Sequence, residues 1–218
     1  MDEAGRGPLF GRVYAAAVVL PPPPQFDHSK MKDSKRFHSI VKIREAAAYI
    51  KENALAWSVR WESEESIDRM NIRNATHHAM HAAIHDVLAH DSVSVSSQAG
   101  APLLVVDGND FTPFSRPTMR ASEHDMLSLE RVPHVCVEGG DNKFSMIAAA
   151  SILAKVARDE YIEELCVAHP QLVERYDLHK NKGYGAKRHM DGIAVHGISK
   201  WHRRSFGVCK TAPLAEIE

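Results

Sequence analysis

The chain has 218 residues, 44% of them hydrophobic and 25% charged, with a formal net charge of −1. That size and balance fit one soluble globular domain whose core needs neither disulfides nor a structural metal. No stretch reaches the apolar length of a membrane span, no basic-then-apolar leader opens the chain, and three dispersed cysteines (Cys136, Cys166, Cys209) fit a reducing intracellular compartment, the cytoplasm in a bacterium.

The apolar run over 13–20 predicts a buried strand, which the prolines at 21–24 end as a stiff surface turn. Over 36–52, Ile40, Ile43, Ala47 and Ile50 recur at helical spacing. Leu55, Trp57, Val59 and Trp61 alternate and predict a strand. Residues 66–90 read as one helix with Met80, Ile84, Val87 and Leu88 inward. A short apolar run over 102–106 predicts a buried strand ending in Asp107-Gly108-Asn109. Another over 132–137 leads into Gly139-Gly140-Asp141. Residues 144–165 form a long apolar helix, and shorter helices follow, interrupted by Gly183 and Gly185. Strands first, then strands interleaved with helices, predict an α/β fold with a mixed sheet and a helical C-terminal part.

Charge is distributed unevenly. Residues 175–210 hold nine basic side chains (Arg175, Lys180, Lys182, Lys187, Arg188, Lys200, Arg203, Arg204, Lys210) against Asp177 and Asp191, a net of +7 that leaves −8 elsewhere. Such a quarter is either a polyanion-binding face or a solvated surface. Arg203 and Arg204 in particular either bind phosphate or pin the tail through ion pairs.

Acidic residues recur where apolar strands end. Asp2-Glu3 precedes a glycine turn, Asp107 follows Leu103-Leu104-Val105-Val106, and Asp141 follows Val135-Cys136-Val137-Glu138 and two glycines. Hard divalent cations such as Mg²⁺ take oxygen ligands, and four carboxylates can hold two ions about 3.5–4 Å apart, the spacing of two-metal phosphodiester chemistry. Position alone also allows ordinary turn residues. Asp110, beside Asp107, reads as a turn residue, and Asp159 and Glu160, late in the apolar helix, are further candidate carboxylates. His77, His81 and His85, at i, i+4 and i+8, imitate a zinc face but lack a further ligand, so they read as surface or packing residues.

The motifs taken in order resemble those of ribonuclease HII, the type 2 ribonuclease H family. They are Asp-Glu-Ala-Gly-Arg-Gly-Pro-Leu at 2–9, Asp33-Ser34-Lys35, the helix from Asn71 to Met80, Val106-Asp107-Gly108-Asn109, and Gly140-Asp141-Asn142-Lys143 with the block from 148 to 159. His179-Lys180-Asn181-Lys182-Gly183-Tyr184-Gly185 and His202-Arg203-Arg204-Ser205-Phe206 complete the match, with bacterial-style motifs. The resemblance implies a ribonuclease H-like mixed sheet flanked by helices. Residues 1–165 would be the catalytic core and 166–218 a basic helical C-terminal part of the same domain. It implies Asp2, Glu3, Asp107 and Asp141 as catalytic metal-binding carboxylates for two Mg²⁺ or Mn²⁺ ions. Gly5, Arg6, Gly7, Lys35, Lys143 and Tyr184 would contact substrate, with residues 5–7 reading the ribose 2′-OH and Tyr184 the adjoining sugar. The implied activity is metal-dependent cleavage 5′ of a ribonucleotide, in RNA/DNA hybrids and in ribonucleotide-containing duplex DNA, leaving 3′-OH and 5′-phosphate. Ribonucleotide removal and RNA primer processing would be its roles. A monomer is expected, and the tail 211–218 shows no clamp-binding motif.

In one respect the chain departs from the family. Members carry residues before the Asp-Glu pair, whereas here Met1 stands directly before Asp2. The expected consequences are a shortened first strand and a positive α-amino group beside the carboxylates. Two alternatives follow: a catalytically weak duplex-binding protein of this fold, and a DNA-directed nuclease of the wider ribonuclease H-like fold. Gly5-Arg6-Gly7 and Tyr184 speak against the second.

Overall fold

The computed structural model describes residues 1–94, 101–119 and 127–215. Strands β1 (Asp2–Ala4), β2 (Val13–Val19) and β3 (Ala56–Glu62) pair antiparallel in that order, with Asp2 opposite Ala16 and Tyr14 opposite Trp61. Strand β4 (Leu104–Asp107) is followed by a hairpin, β5 (Ser115–Met119) with β6 (Leu127–Arg131), and then by β7 (His134–Val137). β7 lies parallel to β4, Asp107 opposite Val137. Met1 joins the two sets. Its amino group donates to the Val105 carbonyl at 2.7 Å, and the Asp107 N–H donates to the Met1 carbonyl at 3.0 Å. One residue bonded to both neighbours of its partner is the parallel ladder, so the strands run β3-β2-β1-β4-β7 across one mixed sheet.

Helices cover both faces. They are α1 (Ile40–Asn53), α2 (Glu64–Met70), α3 (Ile72–Ala89), α4 (Asp91–Ser94), α5 (Ser145–Ala168), α6 (Gln171–Tyr176), α7 (Leu178–Asn181) and α8 (Lys187–His196). The period of two along β2 decides which side chain meets which helix. Ala15 and Ala17 join Ala79, Met80, Ala83, Ile84 and Val87 of α3, while Tyr14 and Ala16 join Ala149, Ala150 and Leu153 of α5. A strand buried on both faces has no polar alternation, which is why β2 reads as a continuous apolar run. The core on the α5 side extends without a break to Leu172, Tyr176, Leu178, Ile193 and Cys209 of the C-terminal part. No helix among the described residues is long and apolar enough to cross a membrane.

Two expectations need correction. The helix expected over 66–90 is two helices, because Asn71 adopts a positive φ of 69° and its side chain caps α3 by accepting the Asn74 N–H at 3.0 Å. Asparagine tolerates that backbone region and is a strong cap. In β3 the alternation is present but its buried face is the opposite one: Ala56 and Ser58 are buried, while Leu55, Trp57 and Trp61 are exposed. Small residues let α3 lie close to the strand, and the indole of Trp61 is instead covered by the Arg12 guanidinium, 3.6 Å from the ring centre. Helix α1 forms where the helical spacing predicts it, with Ile40 on its exposed side and Ile43, Ala46, Ala47 and Ile50 buried. The β5–β6 hairpin gave no sequence signal, since Pro117 within a polar segment argues against a strand.

Candidate active site

The sheet brings three chain segments to one cleft of about 200 Å³, lined by Asp2, Glu3, Gly5, Asp107, Asp141 and Tyr184, and also by Ser34, Ser151, Lys155, Arg158 and Asp159. Asp2 begins β1, Asp107 ends the neighbouring β4, and Asp141 lies in the 3-10 turn Gly140–Asn142 between β7 and α5. Asp107 is fastened across that turn: its Oδ1 accepts the Gly140 N–H at 2.6 Å. A Cβ at Gly140 would lie 2.4 Å from Ile147 Cδ1 and 3.2 Å from Asp107 Oδ1, so a side chain there would require Ile147 to move. Asp141 Oδ1 accepts from the Asn142 amide at 3.0 Å.

The cleft is electrostatically strained on its acidic side. Burial, and then the nearby Glu3 and Asp107 carboxylates, push Asp2 up to about 7. Glu3 is raised by burial against the pull of Arg6, whose guanidinium lies 3.4 Å from Glu3 Oε1. Burial lowers the Met1 amino group to about 6, against the raising pull of Asp2, Asp107 and Glu3. Among the described residues no three His, Cys, Asp or Glu side chains close into a ready-made metal cage. The donor chemistry nevertheless fits a hard divalent cation: the groups are carboxylate oxygens, partly desolvated and mutually repelling, and such an ion relieves both penalties.

The glycine loop stands on the rim. Gly5 has φ +92°, and a Cβ on it would meet the Arg12 carbonyl at 3.0 Å and Arg158 Nε at 3.1 Å. Gly7 packs beside Tyr184: a Cβ there would lie 3.7 Å from Tyr184 Cε1. Tyr184 is half exposed, with its ring 5.3 Å from the Arg158 guanidinium. Arg6 is exposed and reaches back to Glu3. Lys143 is exposed and does not line the cleft, since its ammonium donates to the Glu138 carbonyl at 2.8 Å. Lys35 belongs to the 3-10 turn Ser34–Arg36, and its side chain lies outside the described residues.

Several contributors carried no separate signal in sequence. Ser34 and Ser151 hydroxyls meet at 3.0 Å beneath the cleft, and Ser151 also bonds to Asp2. Arg158 is buried, donates to the Lys182 carbonyl and to Asp159, and leaves Nε without a partner. Asp159 lines the cleft but is held by Lys155 at 2.7 Å. Arg203 fulfils neither reading offered for it. It is fully buried, and its guanidinium donates to the carbonyls of Gly5, Arg6, Pro8, Gly11 and Arg12. Arg204 remains exposed, with its backbone N–H on Asp68.

The basic quarter is partly consumed internally: Lys182 pairs with Glu163, Lys187 with Asp191 and Lys180 with Asp177. Of the three helix histidines, His77 bonds to the Thr112 hydroxyl and His81 to its carbonyl. Asp110 forms a two-pronged pair with Arg73. Of the tail, residues 216–218 lie outside the described residues.

Comparison with known proteins gives a consistent picture. The family model described as Ribonuclease HII matches residues 1–209. The ribonuclease HII of Phocaeicola vulgatus is 39% identical over 218 residues, covering 99% of this chain and 92% of the relative. In three dimensions the chain is similar to a chain of the PCNA:RNase HII complex from Archaeoglobus fulgidus, with a TM-score of 0.62 at 20% identity, over 95% of this chain and 93% of that one. It is also similar to Bst-RNase HIII solved in complex with Mn²⁺, with a TM-score of 0.53 at 20% identity, over 89% and 68%. At such identities the structural likeness speaks for the ribonuclease H-like fold alone.

Proposed function

The chain belongs to the ribonuclease HII family, and from that premise we propose that it is a divalent-metal-dependent endoribonuclease acting on ribonucleotides within duplexes that contain DNA. The observation carrying this reading is the single cleft in which Asp2, Glu3, Asp107 and Asp141 share walls with Gly5 and Tyr184. In this reading those four carboxylates hold two Mg²⁺ or Mn²⁺ ions. When bound, such ions supply the charge that activates a water and stabilises the leaving 3′-oxygen. The chain's own contribution is positioning and electrostatics. The acidic wall is fixed by the Asp107–Gly140 bond, and the cationic wall of Lys155 and Arg158 faces the same space. The backbone of residues 5–7 reads the ribose 2′-OH, the group that separates RNA from DNA. The half-exposed Tyr184 ring packs on the neighbouring sugar. Cleavage falls 5′ of the ribonucleotide and leaves 3′-OH and 5′-phosphate, chemistry suited to ribonucleotide removal and RNA primer processing. Arg188, Lys200, Arg204 and Lys210, all exposed, are the cations best placed to grip phosphates, which predicts salt-sensitive, sequence-independent affinity.

The test is removal of single charges at constant shape. Asp107→Asn and Asp141→Asn are expected to lower kcat roughly 10²–10³-fold, the scale of losing one preorganised electrostatic group, while duplex affinity in a binding assay stays near that of the unaltered chain. Full cleavage by either variant rejects the assignment.

A further inference from the structure

We infer that the dipeptide His202-Arg203 is a positioning element that holds the backbone of residues 5–7 against Tyr184, and thereby sets how well the cleft distinguishes a ribonucleotide embedded in DNA. The inference rests on the reading of residues 5–7 and Tyr184 as substrate contacts, and it leaves the carboxylates out.

Arg203 organises the loop. A guanidinium has five N–H donors in a rigid fork. Here Nε donates to Gly11 at 2.8 Å, one terminal nitrogen to Arg6 at 3.0 Å and Pro8 at 2.8 Å, and the other to Gly5 at 2.6 Å and Arg12 at 3.1 Å. The backbone N–H of Arg203 takes a further carbonyl, that of Leu9, at 2.8 Å. One fully buried residue therefore gathers six carbonyls of the segment 5–12. Loops lacking a ladder must find partners for such groups, and this one finds them in a side chain from the far end of the chain. Lysine offers three donors from a single point and cannot span them.

His202 organises Tyr184. The Ser199 N–H donates to His202 Nδ1 at 3.0 Å, so that nitrogen carries the lone pair and the neutral ring bears its proton on Nε2. His202 Nε2 lies 3.0 Å from His189 Nε2, which therefore accepts. His189 Nδ1–H is left to donate to the Tyr184 carbonyl at 2.9 Å. The relay runs in one direction, from Ser199 through both buried imidazoles to Tyr184. The Ala186 N–H meets the same carbonyl at 2.7 Å. The two halves are tied together where the Leu9 N–H donates to the Gly183 carbonyl at 2.9 Å. A tyrosine whose backbone is held from the core while its ring stays half exposed is arranged for contact with a ligand, since packing would bury the ring.

The experiment compares a DNA duplex holding one ribonucleotide with an RNA/DNA hybrid, measuring kcat and KM in Mg²⁺ for folded variants checked by thermal melting. His189→Asn keeps a donor where Nδ1 stands. His189→Gln keeps a group near His202 but loses the bond to Tyr184. The Asn variant is expected to retain the unaltered chain's ratio of kcat between the two duplexes. The Gln variant is expected to lose on the order of 10–100-fold in kcat on the single-ribonucleotide duplex, the scale of a small misplacement, with a smaller loss on the hybrid and little change in KM. Arg203→Lys is expected to shift the ratio in the same direction; should it not fold, the His189 pair decides. Equal effects of Asn and Gln, with the ratio preserved, mean packing alone and overturn the inference. If the unaltered chain cuts the single-ribonucleotide duplex no better than all-DNA, the underlying reading fails instead.

Discussion

Gly5 shows how one residue can serve fold and site together. Its φ of +92° lies in the region that favours glycine, and the space a Cβ needs is taken by the Arg12 carbonyl and Arg158. Gly5→Ala is expected to destabilise the fold by about 1–3 kcal/mol in urea unfolding and to lower activity, because the same carbonyl that Arg203 holds belongs to the displaced residue. Unchanged stability contradicts that account. Residues marked by type and local pattern could be picked out as cleft candidates before the fold was known: Asp107 and Asp141 follow apolar runs, and Gly5 sits in a motif, and all three line the cleft. Arg203 could not, because nothing in a run of basic residues distinguishes a fully buried arginine from an exposed one such as Arg204. The neighbour of Lys143 in space, the Glu138 carbonyl, was hidden for a related reason, since it is set by the turn between them.

At the scale of elements, the C-terminal segments lock the cleft through neutral histidines. Burial, and then the facing His189 ring, push His202 down, and burial pushes His189 down. Both shifts favour the uncharged ring in the folded protein, while imidazoles in the unfolded chain titrate near 6.5. Below that value the unfolded state binds more protons, so this contribution to stability is full above pH 6.5 or so and falls as pH drops. For His202, lowered to about 3, the expected loss approaches about 1.4 kcal/mol per pH unit, and His189 adds to it in the same direction. Urea unfolding at pH 7.5 and 5.5 is expected to show a shallower pH dependence in His189→Asn than in the unaltered chain. Identical slopes contradict a neutral buried pair. Elements with strong periodicity, β2 and α5, were legible in sequence. The break at Asn71 and the inverted face of β3 were not: the first depends on one residue's backbone conformation, the second on how closely α3 approaches Ala56 and Ser58.

Over the whole molecule, Met1 stitches β1 to β4 and closes the sheet, so that Asp2 and Asp107 stand at neighbouring strands. The ribonuclease H-like architecture follows from that order together with helices on both faces. The basic quarter shows the limit of charge counting, since Arg203 is fully buried and Lys180, Lys182 and Lys187 each pair with a carboxylate of the chain. The central claim is metal-dependent hydrolysis at a ribonucleotide. It is tested most directly by incubating the chain with a DNA duplex carrying one ribonucleotide and mapping the product ends, with Mg²⁺ and with chelator. The account predicts one cut on the 5′ side of the ribonucleotide, a 3′-OH and a 5′-phosphate, none in chelator and none in an all-DNA duplex. Equal cutting of the all-DNA duplex, or cutting that persists in chelator, would contradict it.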